Sequence, residues 1–405
     1  MTHPLDDPDL LAVLTALNKH GEETRIVGGA VRNFLCGLPI SDIDLATTAL
    51  PHTTIACAAA QNWRTIPTGL EHGTITLLLH GKTYEITTLR QDIATDGRHA
   101  KVEFGRDFAA DALRRDFTIN ALSMAADGTI YDYTGGKADI NARRVRFIGK
   151  AETRIREDYL RILRFFRFSA TYADQFDAEA IAAIVATGDG LARLSKERIA
   201  SEVFKILRTP RAFAALELMG WLNLLPKILG GIGNPARVHK MIALEQALGA
   251  EPDALMRLGA LALFARDDVA RLRDKLRLSN EAQQRLEQMA QVAAQFHASL
   301  TPPDRATLQT CLFVHGQKAA RDGLSLAQCT SGASVTSSLW LQAHAFLRDT
   351  PEPQLPFSGA DLLARGLPPG PGIGIVLKKL QAAWIRAGFP RDPQTLQHLL
   401  EQSLS

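Results

Sequence analysis

The sequence predicts an α+β protein in which a unit of mixed strands and helices precedes a long helical region. Strand-like runs of alternating apolar and polar residues are concentrated between residues 25 and 132, where they read RIVGG, SDIDLATT, HGTITLLLH, KTYEITTLR and GTIYDY. Helices are expected among them at residues 6–20, 53–62 and 107–113. From residue 152 onward the apolar spacing is almost wholly helical, broken by clusters of Gly and Pro. A chain of 405 residues is too long for one ordinary core, so about two to four packed units are expected.

The composition is typical of a soluble globular protein, with 46% apolar and 22% charged residues. No run approaches the roughly 18 apolar residues of a membrane helix, and the acidic start MTHPLDDPDL is unlike a secretory signal. Four scattered cysteines without CxxC spacing argue against a zinc site or a disulfide framework. We therefore expect a cytoplasmic protein without membrane contact.

Two aspartates in one strand-like run are the first candidates for chemistry. Asp42 and Asp44 stand two residues apart, and side chains alternate along a strand, so both carboxylates are expected on one face. Mg²⁺ usually takes one or two carboxylates together with substrate phosphates. Such pairs are also common on solvated surfaces, but Ile43 and Leu45 at the alternate positions favour a strand with one buried face. The sequence therefore predicts a Mg²⁺ site at Asp42 and Asp44.

A glycine turn directly upstream predicts a phosphate site. Gly28 and Gly29 follow the strand-like run that begins at Arg25, and a short helix is expected from Ala30 to Cys36. Backbone N–H groups at such a helix start favour a phosphate, and the Arg32 guanidinium can add paired donors. A tight loop without a ligand is the alternative.

Four blocks in the first half of the chain form a recognisable set. In chain order they are GGAVRNFLCG with SDIDLATT, RRDFTINAL with DYTGG, REDYLRILRFFRF, and LSKERIASE. The set resembles the class II tRNA nucleotidyltransferase and bacterial poly(A) polymerase family, and four motifs in family order are far more specific than one. Asn33 departs from the family, which usually has Asp there. We expect an altered local hydrogen bond rather than altered metal binding, because Asp42 and Asp44 are intact.

The resemblance implies a domain layout. A nucleotidyltransferase head with a mixed sheet would occupy residues 1–145, and a helical, nucleotide-selecting neck residues 146–208. A helical body and tail that bind tRNA would occupy residues 209–405. The tail matches nothing recognisable, and no His-Asp dyad suggests an appended phosphohydrolase domain.

The resemblance also implies roles in the head. Glu85 would be a third catalytic carboxylate near two metal ions, with a structural cross-strand Glu as the alternative. Arg115 would contact nucleotide phosphates. Asp116 and Asn120 would approach the ribose or order a helix start, and the alternative is that Asp116 is a helix N-cap and Asn120 a packed polar residue.

The third block implies base selection. Asp158, Arg161, Arg164 and Arg167 recur every three residues, which places them on one face of a predicted helix. A carboxylate acceptor beside a guanidinium donor can hydrogen-bond a base edge. In enzymes that this chain resembles, Asp158 and Arg161 would select C or A, while Arg164 and Arg167 would serve the phosphates or stabilise the pocket.

Two further segments bear on specificity and on RNA contact. Residues 92–106 are predicted to form a mobile loop, in which Arg98 and Glu103 resemble the family's specificity switch. Residues 137–167 contain ten Lys or Arg against four Asp or Glu. This basic stripe suits a nucleotide or RNA backbone, and a solvated helix face with i,i+4 ion pairs is the alternative.

The resemblance implies an enzyme that adds CMP, CMP and AMP from CTP and ATP to a tRNA 3′ end, with Mg²⁺ as cofactor. An A-adding enzyme or a poly(A) polymerase shares the same catalytic motifs. A non-catalytic RNA-binding protein on this scaffold is the rival from another class, against which the intact Asp42, Asp44 and Arg115 speak. The sequence does not predict an oligomeric state.

Overall fold

The computed structural model describes residues 3–95, 100–296 and 299–404. The chain divides into two compact units, Met1–Ile228 and Leu229–Ser405. All strands of the described residues lie in the first unit, and the second is helical, which confirms the predicted α+β class. Within the described ranges, no helix is both long enough and apolar enough to cross a membrane.

The first unit is built on a seven-stranded mixed sheet in the order β3-β4-β5-β2-β1-β8-β9. Only β2 and β5 pair in parallel; the other neighbours are antiparallel. A separate two-stranded sheet contains β6 and β7. The strands are β1 (Thr24–Val27), β2 (Ile43–Thr47), β3 (Arg64–Gly69), β4 (Thr74–Leu79), β5 (Lys82–Thr88), β6 (Arg90–Thr95), β7 (Ala100–Phe104), β8 (Ser123–Met124) and β9 (Ile130–Tyr131).

The sheet separates a packed face from an open face because its strands alternate as the sequence predicts. In β5, Tyr84 and Ile86 are buried whereas Glu85 between them is exposed. The packed face joins β4 and β5 to a core that includes Leu10, Leu14 and Leu17 of the first helix. The alternate positions of β2 and β5 are consequently left to form a site.

Eleven helices follow or interrupt these strands in the part of the first unit that the structure describes. They are α1 (Pro8–Leu17), α2 (Gly29–Cys36), α3 (Pro51–Ala60), α4 (Phe108–Leu113), α5 (Gly136–Asn141), α6 (Ala151–Glu157), α7 (Leu160–Tyr172), α8 (Ala178–Thr187), α9 (Lys196–Arg208), α10 (Ala212–Trp221) and α11 (Leu225–Leu229), whose last residue already belongs to the second unit. Short 3₁₀ helices occur at Pro4–Asp6, Leu70–His72, Thr118–Asn120 and Gly188–Arg193.

The predicted helices near residues 6–20, 53–62 and 107–113 are confirmed with small shifts at their ends. Asp7 starts α1 by accepting from the Asp9 amide, and Asp107 starts α4 by accepting from the Ala109 amide. Pro51 is the first residue of α3, where its missing N–H costs nothing.

The prediction of a loop over residues 92–106 is wrong for most of the segment. β6 and β7 form an antiparallel hairpin in which Gln91 pairs with Glu103 and Thr95 with Ala100. The polar, Gly-containing composition hid the strands, because two strands that pair with each other through their backbones need no alternating apolar pattern. Arg98 lies outside the described residues.

The second unit is all helical. Its helices are α12 (Pro235–Leu248), α13 (Ala254–Ala262), α14 (Asp268–Leu276), α15 (Asn280–Phe296), α16 (Arg305–Thr330), α17 (Ser338–Asp349), α18 (Gly359–Ala364), α19 (Pro371–Arg386) and α20 (Pro393–Leu404). One apolar cluster centres on Trp340 and another on Trp384. α16 is kinked at Gly316, whose φ is 79°, and the helix restarts where the Gln317 amide donates to Glu352 Oε1 at 2.6 Å.

Candidate active site

Asp44 and Glu85 lie directly opposite each other on the parallel strands β2 and β5. Both side chains are exposed, on the face of the sheet away from the core. The strand register thus brings two carboxylates together that are 41 positions apart (85 − 44) in the sequence. β2 begins at Ile43, so Asp42 lies just before the strand and is exposed, with its Oδ2 accepting from Ser41 Oγ at 2.9 Å.

These carboxylates repel one another. The pKa of Asp44 is raised above its ordinary value, first by partial removal of the carboxylate from water and then by the negative charges of Glu85 and Asp42. The positive charge of Arg115 acts in the opposite direction. Within the described ranges, no group of three or more His, Cys, Asp or Glu side chains could by itself hold a metal ion. The arrangement offers a concentration of negative charge with room for further ligands.

The glycine turn fits closely against an arginine. Gly28 caps α2 with a φ of 66°, a conformation that favours glycine. A Cβ at this position would lie 3.0 Å from Arg115 Nη1, so a side chain would press on the guanidinium. The turn therefore leaves space for Arg115 beside the start of α2.

Asp111 orients the arginine pair of the second block. Its buried carboxylate accepts from Arg114 through Oδ1 at 2.5 Å and from Arg115 through Oδ2 at 3.1 Å. Arg154 of α6 donates to the backbone carbonyl oxygens of Arg114 and Arg115. The phosphate-binding candidate Arg115 is thus held from two sides.

Asp116 is the centre of a buried network. It accepts from the Phe117 amide at 2.9 Å, from Asn120 Nδ2 at 3.0 Å and from Arg164 Nε at 2.6 Å. Burial alone would raise the pKa of Asp116, but Arg164 and Asn120 hold it below its usual value. Asp116 is not the N-cap of the following 3₁₀ helix, since Phe117 occupies that position. Asn120 extends the network by accepting from Arg32 Nη1.

The third block is two helices rather than one, which corrects the predicted single face. α6 ends at Glu157, and Asp158 adopts an extended conformation with φ −154° and ψ 107° before α7 begins at Leu160. Asp158 Oδ1 accepts from the Leu160 amide at 3.1 Å, a local bond by which Asp competes with continuous helix. Asp158 therefore stands at the junction and not on the helix face.

Each base-selecting candidate is held by a partner that is not the other candidate. Asp158 Oδ2 accepts from Arg198 Nη2 of α9 at 2.7 Å. Arg161 Nη1 donates to Glu157 Oε2 at 2.5 Å and to the Arg154 carbonyl at 2.8 Å. Both side chains are partly exposed to solvent. Their hydrogen bonds to other protein groups fix the directions in which they point.

Arg164 and Arg167 point toward the same region from α7. Arg164 contacts Asp116, whereas Arg167 forms an ion pair with buried Glu202 at 2.8 Å. The Phe168 ring lies beneath both guanidinium groups, 5.3 Å from Arg164 and 4.2 Å from Arg167. The face of α7 is thus cationic and rigidly supported.

These groups line two clefts that share Asp44 and Arg115. The first, of about 480 Å³, is lined by all ten nucleotide-binding candidates together with Asp44, Leu160, Phe168 and Arg198; the ten are Gly28, Gly29, Arg32, Arg115, Asp116, Asn120, Asp158, Arg161, Arg164 and Arg167. The second, of about 450 Å³, is lined by Val27, Asp44, Leu45, Ala46, His72, Thr74, Glu85, Thr87, Arg90, Asp111, Arg114 and Arg115. Asp44 thus stands between a cleft that can hold a base and phosphates and a cleft that contains Glu85.

Two family matches and one relative decide the family. Residues 24–146 match the poly A polymerase head domain, and residues 175–232 match the probable RNA and SrmB-binding site of polymerase A. The mitochondrial CCA tRNA nucleotidyltransferase 1 of Mus musculus is 34% identical over 395 residues, which cover 95% of this chain and 88% of that protein. The chain belongs to the CCA tRNA nucleotidyltransferase family.

Bacterial members of the CCA tRNA nucleotidyltransferase family are similar over the whole chain. A CCA-adding enzyme of Streptococcus pyogenes is 29% identical over 416 residues, covering 100% of this chain and 99% of that protein. The crystal structure of the Bacillus stearothermophilus CCA-adding enzyme in complex with CTP superposes with a TM-score of 0.77 at 29% identity, covering 100% of this chain and 98% of that one. This chain is accordingly a nucleotidyltransferase.

Several site residues of this family member were not singled out from the sequence. Asp111, Arg154, Glu157, Arg198 and Glu202 each hold a predicted site residue in place. Glu157 could have been found, because it stands four residues before Arg161 at helical ion-pair spacing. Arg198 and Glu202 lie in the fourth block, whose position along the sequence gives no hint of its distant partners.

The basic stripe of this nucleotidyltransferase is largely neutralised. Eight of the ten basic residues between positions 137 and 167 form ion pairs, with Asp116, Asp139, Glu152, Glu157, Asp174 or Glu202 as partners. Three of these are the i,i+3 or i,i+4 pairs that the alternative interpretation expects. The stripe is therefore mostly structural, and its cleft-facing members are Arg161, Arg164 and Arg167.

Proposed function

We propose that this enzyme adds CMP, CMP and AMP from CTP and ATP to the 3′ end of tRNA, with base selection by the protein itself. The observation that carries the proposal is the pair of clefts that share Asp44. A transfer reaction needs two substrates on either side of the reacting centre, and each cleft offers chemistry suited to one of them. The names of the relatives support the choice of tRNA and of the two nucleotides.

The carboxylates fit Mg²⁺. Asp44 lies opposite Glu85, and its pKa is raised by desolvation and then by neighbouring negative charge. No complete protein cage for a metal ion occurs among the described residues. Mg²⁺ suits such an open site because it binds through one or two carboxylates and completes its shell with water and substrate phosphates. Asp42 and Asp44 would hold the ion, with Glu85 beside them. When bound, it would polarise the reacting phosphate and offset charge on the leaving pyrophosphate.

The first cleft would bind the incoming nucleotide. Arg32, Arg115, Arg164 and Arg167 would contact its phosphates, and the N–H groups at the Gly28-Gly29 turn would add backbone donors. Asp116 and Asn120 are engaged with these arginines, which supports an organising role rather than a direct ribose contact. Fixing the phosphates before reaction supplies much of the catalytic advantage of a nucleotidyl transfer.

Asp158 and Arg161 would read the base. An ionised carboxylate accepts from the amino group that C and A both carry, and a guanidinium donates to ring nitrogen or carbonyl acceptors. U and G present other patterns at the equivalent edge, so the same two side chains would disfavour them. The fixed directions of both side chains support selection without a nucleic-acid template.

The second cleft would receive the terminal ribose and phosphate of the tRNA. The hydroxyl groups of Thr74 and Thr87 lie 3.1 Å apart in its lining, which also includes Arg90 and Arg114. Arg90 donates to the His72 carbonyl and Arg114 to Asp111. Glu85 lines this cleft and not the other, which supports a role in orienting the attacking 3′-hydroxyl group. Residues 1–145 would act as head, 146–208 as neck, and 209–405 as body and tail that bind the rest of the tRNA.

We also propose a cytoplasmic location. The four cysteines, Cys36, Cys57, Cys311 and Cys329, are free, as expected in a reducing compartment. Imaging of the tagged chain in its own cells tests this, and accumulation in an organelle would contradict it.

Product sequencing tests the proposed activity. Two tRNA substrates, one that ends at its discriminator base and one that already ends in CC, are each incubated with the four nucleoside triphosphates singly and with CTP and ATP together. The proposal expects two C residues from CTP alone and CCA from the mixture. Addition of A alone to a tRNA that already ends in CC would identify an A-adding enzyme, long A tracts a poly(A) polymerase, and no incorporation a non-catalytic RNA-binding protein.

A further inference from the structure

Arg32 in the first cleft is a buried cation whose hydrogen-bond partners are neutral. Its Nε and Nη2 donate to Asn33 Oδ1 at 3.2 and 3.0 Å, and its Nη1 donates to Asn120 Oδ1. The residue is 8% exposed. A guanidinium removed from water in this way ordinarily requires an anionic partner.

No Asp or Glu of the described residues forms an ion pair with Arg32. The carboxylate that acts on it electrostatically is Asp116, and Asp116 is already in contact with Arg164 at 2.6 Å. Two aromatic rings also lie near Arg32: the Tyr172 and Phe168 rings are 4.3 and 5.1 Å from the guanidinium carbon. The positive charge of Arg32 is therefore held in position without being neutralised.

Asn33 is fixed so that its oxygen faces Arg32. Its Nδ2 donates to the Pro39 carbonyl at 2.9 Å, and its Oδ1 also accepts from the Tyr172 hydroxyl at 2.8 Å. An amide makes both kinds of contact, since its nitrogen donates to the Pro39 carbonyl while its oxygen accepts. An aspartate would keep the two contacts to Oδ1, lose the one to Pro39, and add a negative charge against Arg32.

We propose that Asn33 is a positioning residue for the nucleotide phosphates: it holds Arg32 in place and leaves its charge for the substrate. The inference rests on the proposed function, since it assumes that the first cleft binds a nucleoside triphosphate. The amide at this position makes the cleft more cationic than an aspartate would. CTP binding should accordingly depend less on a metal ion to offset the charge of the phosphates.

Calorimetric titration of CTP in EDTA tests this, with Asn33→Asp as the informative variant and Asn33→Ala as the neutral control. Asn33→Asp should weaken CTP binding about tenfold, within the usual range for coupling between adjacent groups. Asn33→Ala loses every side-chain hydrogen bond of Asn33, more than Asn33→Asp does, but it adds no charge, so a charge effect predicts a clearly smaller loss for Asn33→Ala. Equal losses for the two variants, or no loss for Asn33→Asp, would overturn the proposal.

A phosphate series and a double-mutant cycle separate a charge effect from distortion of the site. The loss caused by Asn33→Asp should grow from cytidine through CMP and CDP to CTP, and it should disappear when Arg32→Gln is already present. An equal loss for cytidine, or an undiminished loss in the Arg32→Gln background, would overturn the proposal and leave the proposed function standing. If the unmodified chain binds CTP with Mg²⁺ but not in EDTA, this inference fails and the proposed function stands; if it binds CTP under neither condition, both fail.

Discussion

The negative charge of Asp44, which the proposed activity uses, opposes the stability of the folded protein. Its carboxylate faces Glu85 across paired strands, and its raised pKa means that the folded protein binds a proton at this site more tightly than the unfolded chain does. Above the pKa of the folded state, the ionised carboxylate therefore lowers the free energy of unfolding. This loss of stability vanishes below the ordinary pKa of an aspartate, about 3.9. A charge-binding site built this way is typical of residues kept for function rather than for folding.

Asp44→Asn should abolish incorporation of every nucleotide and leave the fold intact. Losing a proposed metal ligand should reduce kcat by roughly a thousandfold or more. At pH 7 the melting temperature should be unchanged or slightly higher, because a repelled charge has been removed, and any gain should fade toward pH 4. Radiolabelled CTP incorporation and thermal unfolding at both pH values check this. A clear loss of stability at pH 7 would mean that Asp44 supports the fold instead.

Asp158→Ala and Arg161→Ala should each relax the preference for C and A over U and G more than they weaken triphosphate binding. Base contacts discriminate while phosphate contacts position, and a good contact of this kind is worth about 1–3 kcal/mol. Arg198→Gln should relax the choice in the same direction to a smaller extent, because it frees Asp158 without removing it. Relative kcat/KM values for the four nucleotides check the three variants.

Arg156→Gln is the matched control for Arg198→Gln. Arg156 forms an exposed ion pair with Glu152 and does not line the first cleft. The Arg156→Gln substitution should leave the choice of nucleotide unchanged. If the preference for C and A survived both Asp158→Ala and Arg161→Ala, selection by these side chains would be refuted.

At the scale of single residues, the candidates named from the sequence come together in one cleft, whereas most of their partners were not predicted. All ten predicted nucleotide-binding residues line one cleft, since motif residues are recognisable wherever they stand. The partner of Asp158 was not predictable, because Arg198 stands 40 positions away and only the packing of α9 brings it close. Tertiary ion pairs of this kind leave no periodic trace in a sequence.

Among the elements, the junction of α6 and α7 has the greatest influence on the site. A continuous helix was predicted because the arginine spacing is helical, and the break at Asp158 came from local hydrogen bonding that periodicity does not reveal. The junction is supported from outside by the 3₁₀ helix Gly188–Arg193. A Cβ at Gly190 would lie 1.9 Å from Tyr159 Cε1, so the Tyr159 ring packs directly on the glycine backbone.

Gly190→Ala should therefore destabilise the protein and disturb base selection at the same time. Overpacking of this kind costs about 1–3 kcal/mol, and relief requires Tyr159 and the adjacent Asp158 to move. Denaturant unfolding and the four-nucleotide comparison check the two effects. Gly188→Ala, which meets only the flexible Leu224 side chain at 3.1 Å, is the control and should do little. Altered stability with unchanged selection would separate the junction from base reading.

The β6–β7 hairpin is the second element with a predicted role. Its β6 strand packs against α4, the helix that precedes Arg114 and Arg115, and the Phe104 ring at the end of β7 covers Gly73 next to the second cleft. A shift of the hairpin would therefore displace residues on both sides of Asp44. This position suits an element that adapts the site between a pyrimidine and a purine.

Shortening this hairpin should leave both C additions and selectively remove addition of the terminal A. C is smaller than A, so we expect the site to hold the pyrimidine without adjustment, whereas the purine requires the site to change shape. Product ladders on a tRNA ending at its discriminator base, with CTP and abundant ATP, should stop at CC. An unchanged CCA product, or equal loss of C and A, would reduce the hairpin to a connector or a general support.

At the scale of the whole molecule, the sequence predicted the class and the change from mixed to helical structure. Alternation in the strands and helical spacing after residue 152 reflect burial that each element needs locally. The predicted domain ends at residues 145 and 208 stay predictions. Contacts divide the chain after Ile228, within α11, and this position lies in the Gly- and Pro-containing stretch of residues 226–235 that interrupts the helical pattern of the sequence.

Asp44 and Arg115 line both clefts, and this arrangement has a consequence for the order in which nucleotides are added. Each nucleotide joined to the chain end becomes the end that must be extended next, so it has to cross from the first cleft to the second before another can enter. The same emptied cleft would then receive C twice and A once. CTP and ATP would thus compete for one binding site, and ATP should slow C addition as a competitive inhibitor.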